Sequence, residues 1–191
     1  METEKSMSEN EKPKAKIQSF EPKYQESTED CIREVRRTQY NDPKADVKPR
    51  YKNIHENCQR FPNEDFLIAI DEPTDKVVGT VGLRFIKDGV GKLIRLSVRP
   101  GFEGQGIGSR LINELMAFAK ANQYKEVYLS TETDDEHTKA RGMYERRDFR
   151  KVVPSDLPKD TMDLLLDGDD NITKIEEGKT VIYKLDLEDQ K

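Results

Sequence analysis

Apolar residues are gathered into short segments along the chain, and their spacing predicts alternating strands and helices. Runs or alternations of apolar residues are typical of strands, whereas apolar positions three or four residues apart are typical of helices. The first half of the chain is predicted to contain a strand at 17–20, a helix at about 27–40, and strands at 65–70, 77–86 and about 90–98. Turn residues separate the last three strands, so we expect them to pair as consecutive antiparallel strands.

The second half of the chain begins with a glycine-rich stretch and a predicted helix. Ile107, Leu111 and Leu115 lie at helical spacing, and Asn122 is a suitable end for that helix. Beyond it the pattern predicts a short buried strand at 127–129, a helix at about 134–147 and a closing strand at 181–185. Acidic residues at the start of the second of these helices and arginines at its end suit the helix dipole.

This order of elements predicts an α/β protein with one mixed sheet and helices on its faces. A chain of 191 residues is long enough for one domain with a real core and too short for two ordinary ones. Residues 1–14 are rich in Glu, Lys and Ser and contain no apolar run. We therefore expect them to be disordered and not to form a signal peptide.

Charge and composition exclude several classes of protein. The net charge of −5 argues against nucleic acid as a partner. The longest apolar run, 66–70, is far shorter than the roughly 20 residues of a membrane helix, so we expect no membrane segment and a cytoplasmic protein. Cys31 and Cys58 are expected to be free thiols. No metal site is expected, since the acidic run at 167–171 lacks the glycine and glutamate of an EF-hand.

The glycine-rich stretch between a predicted strand and a predicted helix is the strongest candidate for chemistry. The first N–H groups of a helix have no partner within the helix, and the helix dipole places partial positive charge there. A phosphate is the natural ligand of such a terminus. Glycines at three alternate positions would let it approach the backbone. The stretch consists of Glu103, Gly104, Gln105, Gly106, Ile107, Gly108 and Ser109.

Other nucleotide motifs do not fit this stretch. A P-loop requires Lys after its second glycine, and Ile107 follows Gly106. A dinucleotide fingerprint starting at Gly104 would need glycine where Ser109 stands. The His-Arg-Asp and Asp-Phe-Gly motifs of protein kinases do not occur. The remaining alternative is a tight turn between strand and helix that binds no ligand.

The residues at 98–108, Val-Arg-Pro-Gly-Phe-Glu-Gly-Gln-Gly-Ile-Gly, resemble motif A of the GNAT superfamily of N-acetyltransferases. Residues 140–149 resemble its motif B, and 78–81 resemble the strand that precedes motif A. The resemblance implies the GNAT acyl-CoA N-acyltransferase fold over about 15–187, with motif A at about 93–122 and motif B at about 126–150. Residues 95–98 and 127–133 look most like the camello branch, whose members usually carry a membrane segment before the domain.

The resemblance also implies a function. Family members transfer an acetyl group from acetyl-CoA to a primary amine of a small molecule or peptide, directly within a ternary complex. The backbone of 103–109 would hold the pyrophosphate, and backbone groups at Leu96 and Val98 would bind the pantetheine arm and the acetyl carbonyl. Tyr144 matches the tyrosine that protonates the departing thiolate, although packing against the sheet is an alternative role for it.

Three residues depart from the family pattern and put the affinity for the cofactor in doubt. Glu103 replaces the usual Arg or Gln, Asp148 replaces the glycine of motif B, and His137 replaces a frequent Asn. A carboxylate beside two phosphates costs affinity unless it turns to solvent or pairs with Arg99 or Arg110. Glu103, Asp148 and the absence of an obvious general base favour the alternative function, a non-catalytic acyl-CoA-binding or interaction module.

The sequence leaves several alternatives for the acceptor amine and for the general base. Asp71, Glu72, Glu132 or His137 could lie near the acceptor amine, or a water chain could serve, and His137 is expected on a helix surface. Residues 152–180 carry eight Asp or Glu and three Lys. Such a segment would steer a basic acceptor such as a polyamine, an amino acid or a lysine side chain, although plain solubility explains it equally well. A homodimer is compatible with the sequence, because dimers are common in the family.

Overall fold

One mixed sheet of seven strands organises the protein, and the computed structural model describes residues 15–166 and 179–188. The strands are β1 (Lys16–Ser19), β2 (Asp65–Asp71), β3 (Lys76–Lys87), β4 (Val90–Val98), β5 (Glu126–Glu132), β6 (Arg150–Val152) and β7 (Thr180–Asp186), in the spatial order β1-β2-β3-β4-β5-β7-β6. Only β4 and β5 pair in parallel among these strands. The predicted fold class and the three consecutive antiparallel strands are confirmed.

Among the described residues, five α-helices accompany the sheet: α1 (Gln25–Gln39), α2 (Ile54–Cys58), α3 (Ile107–Ala121), α4 (Thr138–Glu145) and α5 (Lys159–Leu166). Within the described ranges, no helix is long and apolar enough to cross a lipid bilayer. Cys31 and Cys58 are buried, and neither forms a disulfide, as predicted. The expected disorder of 1–14 and the expected acidic loop at 167–171 lie outside the described residues.

The alternation of side chains along β2 divides the helices between the two faces of the sheet. Phe66 and Ile68 pack into a core that contains Ile32 of α1 and Ile54 of α2. Leu67 and Ala69 point the other way and join a second core built on α3 and α4, with Leu111 and Tyr144. Leu165 of α5 packs on Tyr128 and Ile182, whereas their neighbours Leu129 and Tyr183 belong to the core of α3 and α4. The face that carries α1, α2 and α5 is therefore opposite the face that carries α3 and α4.

The helix predicted at 134–147 is shorter in the structure, and the prediction of charged terminal turns is wrong. It begins at Thr138 with His137 at the N-cap, and neither its first turn is acidic nor its last turn basic. The Asp134 side chain accepts the backbone N–H of His137 at 2.9 Å, which closes a turn before the helix starts. Asp134, Asp135 and Glu136 thus precede α4 instead of opening it.

Asp148 stands where the end of α4 needs a left-handed residue. Its φ is 63°, and the N–H of Phe149 bonds back to the carbonyl of Tyr144. Glycine adopts this conformation without a penalty, and aspartate tolerates it better than most residues. The glycine that motif B usually has here is explained by this backbone conformation.

We expect Asp148→Gly to stabilise the protein by about 0.5 to 1 kcal/mol, because glycine removes the strain of the left-handed backbone. Chemical denaturation of the variant and the wild type measures the difference. Asp148→Ala is the matched control and should be less stable than the wild type, since alanine lacks the tolerance of aspartate for this conformation. Equal stability of the glycine and alanine variants would contradict the explanation.

Candidate active site

A cleft opens in the sheet where β4 and β5 separate. The two strands pair only at Val90, Gly91 and Lys92, opposite residues 126–128. Past this point the register between β3 and β4 shifts by one extra residue on β4, and Arg95 in that bulge has a φ of 50°. A bulge bends its strand, so the second half of β4 leaves β5 and exposes backbone groups that have no strand partner on that side.

Residues from both faces of the sheet line this cleft. Its walls are residues 92–97 of β4 and 129–132 of β5. Tyr40, Arg50 and Tyr51 line it from the face of α1 and α2, and His137, Ala140 and Tyr144 line it from α4 and its N-cap. The cleft is thus accessible to groups on both sides of the sheet, which suits a reaction between two substrates.

The predicted phosphate loop lies at the start of α3. Gly101, Gly104 and Gly106 have φ values of 86°, 74° and 77°, and a Cβ at any of them would meet nothing within 4 Å. Gly106 is the N-cap of α3 and its first turn has no side-chain cap. The glycines at 104 and 106 are therefore required by the backbone conformation, and they leave the N–H groups of α3 open to an anion.

The other loop residues have different surroundings. Ile107 is buried in the core, and Ser109 is half-buried. Gln105 is also half-buried and donates its side-chain N–H to the carbonyl of Gly101 at 3.3 Å. A Cβ on Gly108 would lie 3.4 Å from both the Met143 sulfur and a Val98 methyl, so Gly108 brings α3 close to α4 and β4. The loop therefore adjoins the cleft without lining it.

Glu103 is held within the loop, not by an arginine. Its carboxylate accepts the backbone N–H of Gly101 at 2.6 Å and the side-chain amide of Gln39 at 2.9 Å. Of the two ways that the sequence left open for this carboxylate, exposure to solvent or pairing with Arg99 or Arg110, the structure shows an exposed Glu103, and Arg99 pairs with Glu34 of α1 at 2.6 Å. The carboxylate thus fixes the shape of the loop and ties it to the end of α1.

Leu96 and Val98 lie on the separated half of β4. Both side chains are half-buried against the core of α3 and α4, and Leu96 lines the cleft. The carbonyl of Val98 accepts the Gln39 amide at 2.9 Å. The backbone at these positions, which the resemblance assigns to binding, is placed between the cleft and the phosphate loop.

Tyr144 packs in the core and lines the cleft. It is 6% exposed, and its ring contacts Phe149 and Tyr183 at centroid distances of 5.8 and 6.1 Å. Burial, with smaller effects from Tyr40 and Tyr183, raises the pKa of its hydroxyl well above the usual range. The hydroxyl is therefore protonated at neutral pH, and burial makes it a weaker acid than an ordinary tyrosine.

Two of the four candidate bases lie in the cleft. His137 stacks on Tyr40 at 4.5 Å with an interplanar angle of 6°, and its Nδ1 lies 2.6 Å from the Asp134 carboxylate. Its side chain is only 13% exposed, so the expectation of a helix-surface residue is wrong.

Burial, followed by a hydrogen bond with Asp134, raises the pKa of the Glu132 carboxyl. Asp71 and Glu72 lie at the turn between β2 and β3 and do not line the cleft.

Among the described residues, one cluster of acidic side chains and a histidine beside the cleft could bind a cation. Ligand atoms of Glu132, Asp134 and His137 all lie within 4.8 Å of one another. Exposed acidic groups commonly cluster in this way without an ion. The geometry alone therefore does not assign a metal to the site.

Sequence reasoning missed the side of the cleft that α1 supplies. Tyr40 follows the last residue of α1, and Arg50 and Tyr51 belong to a 3-10 turn at Pro49–Lys52. No local motif marks these residues, and they reach the cleft only through the packing of distant segments. The pair Arg50 and Tyr51 directly after Pro49 was the available signal in the sequence.

The seven-stranded mixed sheet, the separated strands and the open start of α3 define an acyl-CoA N-acyltransferase fold. Residues 29–149, more than half of the chain, match the profile described as the acetyltransferase (GNAT) family. The chain belongs to this family, in agreement with the resemblance seen in motifs A and B.

Curated relatives match part of the chain. N-acetyltransferase 8B of Homo sapiens is 34% identical over 91 residues, which are 45% of this chain and 39% of the human protein. N-acetyltransferase 8B of Mus musculus is 34% identical over 94 residues, 47% of this chain and 37% of the mouse protein. The chain thus matches well under half the length of these relatives, and their names agree with the camello-like resemblance.

Solved structures match almost the whole chain. A GNAT acetyltransferase from Staphylococcus aureus Mu50 has a TM-score of 0.73 at 23% identity and covers 91% of this chain and 99% of its own. The PaiA N-acetyltransferase from Thermoplasma acidophilum, solved in complex with coenzyme A, has a TM-score of 0.67 at 15% identity. The match covers 90% of this chain and 98% of the PaiA chain. At these identities the likeness shows the fold.

Proposed function

We propose that this protein is an acetyl-CoA-dependent N-acetyltransferase that acetylates a primary amine of a small molecule or peptide by direct transfer in a ternary complex. The observation that carries the proposal is the convergence of three features: the open N–H groups at the start of α3, the cleft between β4 and β5, and Tyr144 in that cleft. The coenzyme A complex of the PaiA neighbour supports an acyl-CoA ligand for this fold.

In the proposed reaction the pyrophosphate binds the backbone of 103–109, and the pantetheine arm follows β4 past Val98 and Leu96. The neutral amine attacks the thioester carbonyl carbon, and the carbon–sulfur bond then breaks. The departing thiolate takes the proton of the Tyr144 hydroxyl, which is protonated at neutral pH. The proton lost by the amine passes to Glu132, His137 or water, since these two side chains line the cleft.

The predicted basic acceptor depends on the acidic segment at 152–180, of which 167–178 lie outside the described residues. The preference for a basic acceptor, the domain limits at 15–187, the cytoplasmic location and the absence of a metal all stay predictions. The second candidate function, a non-catalytic acyl-CoA-binding module, is favoured by one observation, the carboxylate of Glu103 within the phosphate loop.

Isothermal titration with acetyl-CoA, followed by a panel of amines monitored for release of free thiol, tests the proposal. Binding followed by thiol release with one class of amine would support the enzyme. Binding without release from any amine would favour the non-catalytic module. The absence of binding would overturn both functions.

Glu103→Gln is expected to tighten acetyl-CoA binding three- to fivefold, since removing one charge near two phosphates is worth about 1 kcal/mol at a solvated surface. The glutamine oxygen can still accept the N–H of Gly101, so the loop keeps its shape. Titrations at low and high salt measure the effect, which should shrink as salt screens the charge.

Glu114→Gln is the matched control, because Glu114 lies on the exposed side of the same helix, two turns from the loop. It should leave the affinity unchanged. A weaker complex for Glu103→Gln would mean that the bonds of the carboxylate to Gly101 and Gln39 matter more than its charge.

A further inference from the structure

Arg50 is a half-buried arginine in the cleft whose guanidinium has no hydrogen bond or ion pair with any residue that the structure describes. We infer that the acceptor carries a carboxylate next to its amine and that Arg50 binds this carboxylate, which makes the acceptor a free amino acid or a close analogue. The inference rests on the proposed acetyltransferase function and narrows its substrate class.

The position of Arg50 is fixed by its neighbours. It lies in the 3-10 turn Pro49–Lys52, and the next residue, Tyr51, is 3% exposed and packs in the core under α1. Proline sets the φ of the first residue of the turn. The backbone at Arg50 is therefore anchored, and the side chain is held towards the cleft that it lines.

Two arginines of α1, on the same face of the sheet, have acidic partners, whereas Arg50 has none among the described residues. Arg33 pairs with Glu29, Asp30 and Asp46, and Arg36 pairs with Asp42. A guanidinium that is partly removed from water gains most from a carboxylate, which it can bind through two parallel hydrogen bonds. The missing partner of Arg50 is thus an anion that comes from outside the described chain.

The charge of the cleft points to the same ligand. Three cationic residues line it, Arg50, Lys92 and Arg95, against one carboxylate, Glu132. The guanidinium of Arg95 lies 4.7 Å from the centre of the Tyr51 ring, directly beside the turn that carries Arg50. Arg50 adds to this side of the cleft a positive charge without a partner among the described residues, which attracts a carboxylate and repels the second ammonium group of a polyamine.

The two sides of the sheet separate this anion from the phosphates of acetyl-CoA. The phosphate loop begins α3, which packs on one face, whereas the turn of Arg50 packs on the opposite face with α1 and α2. A donor that enters from the α3 face leaves the α1 face to the acceptor. The amine would then point at the cleft centre, near Glu132 and Tyr144, with the carboxylate on Arg50.

Among the acceptors left open by the sequence, this arrangement favours an amino acid over a polyamine or a lysine side chain. A polyamine has no anionic group for Arg50. A lysine side chain within a protein has its carboxyl group in a peptide bond, far from the amine that reacts. An α-amino acid holds its two groups one carbon apart, which suits a single small cleft.

The test compares three matched acceptors, L-methionine, L-methioninamide and 3-(methylthio)propylamine, in the thiol-release assay. The wild type should prefer the acid in kcat/KM, and Arg50→Met should raise the KM for the acid about tenfold or more, without a comparable change for the other two. Arg50→Lys should restore part of the loss. Lys52→Met, which changes an exposed lysine in the same turn, is the control. It should leave the KM for each of the three acceptors unchanged.

Titration separates failure of this inference from failure of the proposed function. L-Methionine added to protein saturated with coenzyme A should bind to the wild type and not to Arg50→Met, even if no turnover occurs. An unchanged Kd for acetyl-CoA in Arg50→Met is also expected. A weaker complex with acetyl-CoA and an unchanged KM for the acid would assign Arg50 to a phosphate of the cofactor, and equal use of all three acceptors by the wild type would overturn the inference.

Discussion

Replacing Tyr144 with phenylalanine is expected to lower kcat about a hundredfold, the usual contribution of a general acid, while the Kd for acetyl-CoA stays within about twofold. Phenylalanine preserves the ring contacts with Phe149 and Tyr183 and removes only the hydroxyl. Because the thiolate then leaves without a proton from the enzyme, the loss should fall on the chemical step and not on binding. Single-turnover rates and titrations of the same preparations measure the two quantities.

Tyr183→Phe is the matched control for this prediction. Its hydroxyl donates to the Glu145 carboxylate at 2.7 Å, outside the cleft, and its ring packs beside that of Tyr144. The control should therefore lose stability at most, and its kcat should match the wild type. Unaltered turnover in Tyr144→Phe would remove Tyr144 from the reaction and leave it a packing role only.

The pKa of Tyr144 gives the reaction a definite behaviour at high pH. A raised pKa means that the hydroxyl loses its proton only above the range of an ordinary tyrosine. Turnover that depends on the protonated hydroxyl should therefore show no loss through Tyr144 as the pH rises to about 10, the pKa of an unperturbed tyrosine.

Gly79→Ala is expected to destabilise the protein by about 2 kcal/mol through overpacking, which lowers the Tm by about 6 °C in a domain of this size. A Cβ at Gly79 would lie 2.9 Å from a Leu111 methyl and 3.0 Å from an Ile107 methyl. Both side chains are buried, so the new methyl group can be accommodated only if α3 moves away from β3. Since the phosphate loop begins α3, the affinity for acetyl-CoA should fall as well. Thermal unfolding and titration test both effects.

Gly142→Ala is the control of opposite sign. A Cβ there would meet only the end of the Arg146 side chain, at 3.2 Å, and the site lies inside α4. Alanine favours the helix by up to about 1 kcal/mol over glycine. Destabilisation of both variants to the same degree would show that close contact of α3 with β3 is not what Gly79 provides.

The elements that the sequence predicted well are those in which local signals agree. Ile107, Leu111 and Leu115 repeat at helical spacing, and glycines precede them, so α3 was predicted almost to its observed ends. The β2–β3 and β3–β4 connections carry strong turn residues, and both hairpins are present. The glycine-rich turn before α3 was predicted by the same reasoning, and the positive φ values of Gly104 and Gly106 are observed there, whereas its binding of phosphate stays a prediction.

The errors arose where local and tertiary signals compete. Three acidic residues before an apolar stretch are a common start of a helix, yet Asp134 closes a turn onto His137 and α4 begins later. The helices α2 and α5 have only 5 and 8 residues, too few to show a clear period. Tyr40 and Arg50 reach the cleft from segments whose placement depends on long-range packing, which no pattern within one segment predicts.

The short parallel pairing of β4 with β5 has a mechanical consequence. Three residue pairs are the whole ladder between the four strands on one side and the three on the other. Each strand keeps its outer neighbour over a longer ladder, so the two parts of the sheet are joined to each other by fewer residue pairs than β4 shares with β3 or β5 with β7. A molecule bound in the cleft would contact both parts of the sheet at once and link them. On the proposed function, acetyl-CoA would then hold the two parts of the sheet together as well as supply the acetyl group.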